Sequence, residues 1–350
     1  MTWTEENYCR GMLPKVSRTF AACIGLLPDR IEFPVLVAYL LCRIADTIED
    51  SPTMEPARKQ ALLQRWHDCL GEDGPDAAPI AVAFADPADD EQRLAAEADR
   101  TLAAYRSLSA RERAAIRPRV AEMCSGMAWF ARAYPQARPG GLQALATLGD
   151  LDRYCYYVAG TVGHLLTALF DLHSHRITRR RRRQLTDLAT SFGLGLQLTN
   201  IIKDVADDRR RGWCFVPADV CRSMGLEPTH LLHPHSAPAA RRVLAALIAK
   251  AERHLRDALA FCRHLPHTQL RIRMFCLTPL YFAIRTLRRA ERDPRLLDPD
   301  HKVKITRREV YRTIACAWIA APSNRLITIY FRHLARRSAG MHVTDAAVSG

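Results

Sequence analysis

Apolar side chains recur three and four residues apart along seven stretches of this chain, a spacing that gathers them on one face of a helix. It predicts helices over 33–49, 91–108, 118–133, 142–170, 184–207, 241–265 and 270–290. Stretches rich in Pro, Gly or Asp at 71–90, 134–141 and 228–238 read as surface connections between them. Alternating, strand-like runs are scarce, and Ala, Leu and Arg prevail where Val, Ile and Thr would mark a sheet. The expected fold class is therefore all-α. No repeat of fixed period and no break in composition divides the chain, so residues 1–340 are expected to form a single domain and 341–350 a flexible tail.

Charge changes this picture more than composition does. The 350 residues are 48% hydrophobic and 25% charged, which is ordinary for a globular protein with a large core. A formal net charge of +14 calls for an anionic partner, and nucleic acid, anionic lipid or a polyphosphate would each serve. The first ten residues include Glu5 and Glu6 where a secretory signal needs basic residues and an apolar run, and the eleven cysteines stand singly. Both features suit a reducing, cytoplasmic setting. The late apolar stretch 314–322 is far shorter than the ~20 residues of a bilayer-spanning helix. Thirteen histidines form no metal motif, and neither a P-loop nor a GxGxxG loop is present, which argues against zinc and nucleoside-triphosphate chemistry.

Two acid clusters carry the candidate chemistry. Asp46, Glu49 and Asp50 stand at i, i+3 and i+4 at the end of an apolar run, so three carboxylates share one helical face. Asp204, Asp207 and Asp208 repeat that spacing at the end of a second apolar helix, with the Asn200 amide one turn earlier. One such cluster alone would more often be a solvated helix end. Two of them, each closing a helix that looks buried, could grip one diphosphate through bridging Mg²⁺, a hard cation that takes carboxylate and phosphate oxygens. Neutralising a leaving diphosphate helps a carbon–oxygen bond ionise, and the apolar faces of a helical bundle would supply a dry cavity for an isoprenoid tail.

At these residues the chain resembles squalene synthases within the squalene and phytoene synthase family. The likeness runs through SRTF at 17–20, RIADTIED at 43–50, MCSGM at 123–127, DRYCYYVAG at 152–160, LQLTNIIKD at 196–204 and the segment 274–307. The tyrosine-rich string, the form of the first acid cluster and the Val303, Lys304, Ile305 segment look like squalene synthases more than phytoene synthases. The resemblance implies an isoprenoid-synthase-type helical bundle with a central apolar cavity. It implies condensation of two farnesyl diphosphates to presqualene diphosphate, then NADPH-dependent reduction to squalene, which could feed sterols or hopanoids.

Carried over by position, Asp46, Glu49 and Asp50 match the first metal motif, and Asp204 and Asp208 the second, with Asp207 and Asn200 as helpers. Tyr154 matches a tyrosine assisting the first half-reaction, although its residue type alone would suggest simple packing. Arg18, Arg43, Lys203 and Lys304 match basic positions that contact diphosphate or NADPH, and Tyr39, Gln197 and Asn200 are expected to line the substrate. After Lys304 and Ile305 the family often has another basic residue, whereas here Thr306 precedes Arg307 and Arg308; Arg307 is expected to reach the same phosphate. The chain has nothing like the C-terminal anchor helix of eukaryotic members, from which a soluble form is expected.

Arg179 to Arg183 form a run of five arginines, preceded by Arg176, in an expected connection between helices. Such a run is usually solvated, but it could also draw the protein to an anionic membrane surface. A basic helical nucleic-acid-binding protein would use the charge and leave the acid clusters unexplained. Nearer alternatives are phytoene, dehydrosqualene or presqualene diphosphate synthases. The protein is expected to act as a monomer, without nucleic acid.

Overall fold

The structure, a computed structural model, describes residues 3–135 and 141–336. It is 76% helical, as the periodicity predicts. The first half contains α1 (Trp3–Val16), α2 (Arg18–Ile24), α3 (Asp29–Asp50), α4 (Pro56–Cys69), α5 (Ala78–Ala83), α6 (Asp90–Ala96), α7 (Ala98–Ser107) and α8 (Ala110–Ala133). Then come α9 (Leu148–Cys155), a π-helical turn (Tyr156–Gly160), α10 (Thr161–His173), α11 (Arg179–Lys203) and α12 (Val205–Arg210). The C-terminal part adds α13 (Ala218–Ser223), α14 (Ala237–His264), α15 (Leu270–Arg292), α16 (Arg307–Ala320) and α17 (Asn324–Ala335). Two short strands, β1 (Gln143–Ala144) and β2 (Trp213–Cys214), pair in parallel with Gln143 opposite Trp213.

Several expected helices divide, each for a local reason. The stretch 142–170 opens with β1, and its first helix starts only after Thr147, whose side chain accepts from the Asp150 N–H while Asp150 accepts from the Thr147 N–H. This reciprocal cap fixes the start against the apolar pattern. The π-helical turn then inserts an extra residue into the ladder. The 91–108 stretch breaks at Glu97 and the 184–207 stretch at Asp204, both residues lying off helical geometry. In the other direction, α8 starts before 118, because Ser109 and Glu112 form a second reciprocal cap. The supposed connection 71–90 contains α5, and the arginine run is the first turn of α11 rather than a linker. Thr178 starts that turn by accepting from the Arg181 N–H, although five cations sit at the positive end of the helix dipole. The tail 341–350, and most of the 134–141 connection, lie outside the described residues.

The helices that matter for the site are α3, α10, α11 and α15. α11 packs against α10, α14, α15 and the π-helical turn, while α3 packs against α8 and α10. Two glycines permit close approaches of backbone to backbone. A Cβ added at Gly193 would lie 2.2 Å from the Ala159 carbonyl oxygen, and one at Gly163 2.1 Å from that of Ala189. These crossings draw α11 against the π-helical turn and α10, and so set the width of the space between them. α4 is tied to α3 by Trp66, fully buried, whose indole N–H donates to the Leu41 carbonyl at 3.0 Å.

Candidate active site

The ends of α3 and α11 open onto one cavity of about 500 Å³. Its deep part is apolar, walled by side chains such as Ile24, Val35, Val158, Leu166, Phe192 and Phe275. Its other end is polar and brings together Tyr39, Arg43, Asp46, Glu49, Asp50, Tyr154, Gln197, Asn200, Lys203 and Asp204. Ten of the expected site residues, from segments more than a hundred residues apart, thus line one space.

The first cluster is strained electrostatically. Asp46, Glu49 and Asp50 sit at the C-terminal end of α3, where the helix dipole already presents negative charge. Burial, together with the charges of Asp50 and Glu91 and against the pull of Arg43, pushes Asp46 up to about 7. Burial and the neighbouring Asp50 and Asp46 hold Glu49 well above the usual carboxylate range. Arg43 stands 3.7 Å from both Asp46 and Glu91, and also donates to the Tyr39 hydroxyl at 2.9 Å. Glu49 and Asp50 have no ion pair among the described residues. The helix end itself is held by Lys59, buried, whose ammonium donates to the Glu49 carbonyl at 2.6 Å.

The second cluster is arranged differently. Asp204 caps α11 and starts α12, so the three acids do not continue one helical face as their spacing predicts. Asp204 faces the cavity and pairs with Lys203. Asp207 turns to Arg210 and to Lys302, the latter at 2.9 Å. Asp208 is buried and pairs with Arg211; burial, and less so the charges of Asp204 and Asp50, raises it to about 6 despite that arginine. Arg211 also acts on Asp50 and on Tyr154, so one cation is shared between the two clusters.

Tyr154 is buried, stacked on Phe215 with ring centroids 4.7 Å apart and edge-on to Phe130 at 5.4 Å. Burial first, then the charges of Glu49, Asp50 and Asp46, raise its pKa well above the ordinary phenol value, so it stays protonated. Asp207 and Asp208 are not part of the cavity lining, and three further expected contributors lie elsewhere. Arg18 is exposed at the start of α2, whose Phe20 and Ile24 do line the cavity. Lys304 and Arg307 are exposed and do not line it; Lys302, two residues before Lys304, is tied to Asp207. Lys59, Glu91, Arg211 and Lys302 belong to the site without belonging to either acid motif. Only Arg211, one turn beyond Asp208, carries a sequence signal that could have marked it.

The acid set suits a hard divalent cation: buried carboxylates raised by one another are relieved by positive charge. Among the described residues no three His, Cys, Asp or Glu side chains are drawn together tightly enough to hold an ion unaided. Oxygens of a phosphate-bearing ligand between the clusters would complete such a shell.

Residues 13–309 match the family model described as squalene/phytoene synthase. The chain belongs to the squalene/phytoene synthase family. It is 29% identical over 296 residues to the squalene synthase of Cyberlindnera jadinii, covering 85% of this chain and 64% of that one. To the squalene synthase of Rattus norvegicus it is 30% identical over 280 residues, covering 80% and 62%. The chain thus spans less than two thirds of the length of these relatives. Among solved structures, TcSQS in complex with the ligand BPH1237 superposes with a TM-score of 0.79 at 25% identity, covering 98% of this chain and 94% of that one. Family and fold agree with the all-α isoprenoid-synthase architecture that the motifs imply. No helix among the described residues is long and apolar enough to cross a membrane.

Proposed function

We propose that this protein condenses two farnesyl diphosphates head to head, through presqualene diphosphate, and converts that intermediate to squalene with NADPH and Mg²⁺. The observation that carries this reading is the pair of acidic helix ends meeting at the mouth of one apolar cavity of about 500 Å³. The names of the family relatives support the choice of product.

Asp46, Glu49 and Asp50 on one side, and Asn200, Asp204 and Asp208 on the other, would hold Mg²⁺, with Asp207 assisting from outside the cavity. When bound, the metal supplies the positive charge that lets a diphosphate depart. Arg43 and Lys203 line the cavity and would take diphosphate oxygens, with Arg18 closing over from α2. Tyr39 and Gln197 flank the polar end and would orient the substrate. The apolar walls exclude water from an allylic cation, which water would otherwise capture. Tyr154, kept protonated, offers its ring face to that cation and its hydroxyl as a proton donor to the departing diphosphate. Lys304 and Arg307, exposed shortly after the Lys302 that pairs with Asp207 and without ion pairs among the described residues, suit the phosphates of NADPH, which supplies hydride. We place this work in the cytoplasm, in a monomer whose residues 1–340 form one catalytic domain.

Gas chromatography with mass detection of products from farnesyl diphosphate and Mg²⁺, with and without NADPH and with diphosphorylated intermediates released by phosphatase, tests the reading. Squalene formed only with NADPH is the expected result. Presqualene diphosphate under both conditions would make this a first-half enzyme, and absence of any condensation product would overturn the proposal.

A further inference from the structure

α16 and α17 form a hairpin around the turn at 321–323, and both pack on α15. Each buries a narrow stripe against the molecule, Thr313, Ala317 and Ala320 from α16 and Ile327, Phe331 and Leu334 from α17. The faces turned away from α15 are apolar where solvent contact would favour polar groups. Tyr311, Trp318 and Ile319 are 70%, 42% and 72% exposed, and Leu326 and Ile329 are 43% and 51% exposed. These are five of the seven large apolar side chains that stand out among the described residues. Scattered singly they would need no explanation; concentrated on one hairpin they mark a surface that something covers.

The charge around them is one-sided. Between 307 and 336 the only acid is Glu309, and it is taken up by Arg285, Arg289 and the Thr306 cap. Arg308, Arg312, Arg325 and Arg332 share the outward faces, exposed and without an ion pair among the described residues. Arg180 and Arg181, in the first turn of α11, lie at the same end of the bundle as this hairpin. Arg273 donates to the Asn324 side-chain oxygen at 2.8 Å, and the Asn324 amide donates to the Arg263 carbonyl at 3.1 Å. Burial, and then the charges of Arg263, Arg181 and Arg180, hold His264 below its usual pKa, which puts the first turn of α11 beside the same end of the bundle.

We propose that the outward face of the α16–α17 hairpin, with the arginines that open α11 beside it, docks on an anionic lipid bilayer. Trp318 and Tyr311 have the amphipathic rings that settle at headgroup depth, Ile319, Leu326 and Ile329 enter the acyl boundary, and the arginine stems extend to lipid phosphates. A second copy of the chain fits poorly, because its matching face would set arginines against arginines with no free acid between them. α15 joins this face to the cavity: Phe275 and Pro279 line the apolar space while the hairpin packs on the same helix. The proposal stands on this surface and does not depend on the reaction proposed above.

Co-sedimentation of the full chain with vesicles tests it. The chain is expected to pellet with phosphatidylcholine vesicles containing about 30% phosphatidylglycerol and to stay in solution with phosphatidylcholine alone. Replacing Trp318, Ile319 and Ile329 together by Ser is expected to lower the apparent partition coefficient about tenfold or more. Arg308→Gln, Arg312→Gln and Arg325→Gln together should weaken binding and flatten its salt dependence. An unchanged melting temperature shows that these surface variants remain folded. If the apolar variant melts lower, Trp318 fluorescence decides instead: a blue shift on adding anionic vesicles that disappears in Trp318→Phe supports docking, and a blue shift that persists overturns it. A full chain that stays in solution with anionic vesicles, or variants that bind undiminished, overturn the proposal. So does light scattering that finds a dimer converted to monomer by the apolar variant, which would assign the face to a second copy.

Discussion

The two acidic helix ends share a spacing and differ in how their charge is balanced. At the end of α3, Glu49 and Asp50 have no ion pair among the described residues, and Arg43 is divided between Asp46, Glu91 and Tyr39. At the α11–α12 junction each acid has an ion pair, Asp204 with Lys203, Asp207 with Arg210 and Lys302, and Asp208 with Arg211, the cation that also acts on Asp50. The first end is therefore short of positive charge, which the metal proposed above would supply. The second is already balanced by the cations around it. Identical acid patterns can thus hold opposite electrostatic states, and the bases that decide this come from outside the pattern.

The largest test of this contrast is Asp50→Asn. Loss of an unpaired acid at the charge-poor end is expected to reduce turnover of farnesyl diphosphate by about 10²- to 10³-fold, measured by product formation under saturating Mg²⁺. A loss no larger than that of Asp207→Asn would erase the distinction between the ends. Arg211→Gln comes next, because it removes the cation shared by Asp208, Asp50 and Tyr154. A fall in rate of about tenfold is expected, with a steeper dependence on Mg²⁺ as the metal replaces the missing charge. Lys302→Gln, which frees Asp207 outside the cavity, should change KM for farnesyl diphosphate by only about two- to threefold and leave kcat unchanged.

Stability should separate the ends as well. Asp46 lies near 3.8 when unfolded and is pushed up to about 7 in the folded protein, mainly by burial. The folded state therefore holds this proton more tightly than the unfolded one between those values. Its contribution is most favourable below about pH 4 and is lost as pH rises towards 7. Without divalent cations, Asp46→Asn is expected to raise the melting temperature at pH 7.5 while abolishing most activity, and added Mg²⁺ should narrow the difference. A variant that melts below the parent at pH 7.5 would remove the claim of stored charge. The smallest structural change is Gly193→Ala, whose methyl would press on the Ala159 carbonyl. It should cost about 1–3 kcal/mol in chemical denaturation and disturb both ends equally, since it moves the wall and not the charges.

Much of this molecule is local, and its sequence carries it. Helical periodicity is a property of neighbouring residues, so the all-α class, α3, α14 and α15 follow from it within a few residues. The acid spacings and the motifs that relate the chain to its family are equally local. Caps and breaks mark where the pattern misleads: Thr147 with Asp150, Glu97 and Asp204 divide runs that apolar spacing alone joins, because side-chain hydrogen bonds and backbone angles there compete with burial. What only the tertiary structure decided is which residues meet. Lys59 reaches Glu49 from the next helix, Glu91 faces Arg43, Lys302 returns to Asp207 from nearly a hundred residues away, and Trp318 stays uncovered on a hairpin whose apolar pattern could equally have been buried. Charge balance and exposure depend on distances across the fold, and no spacing along the chain encodes them.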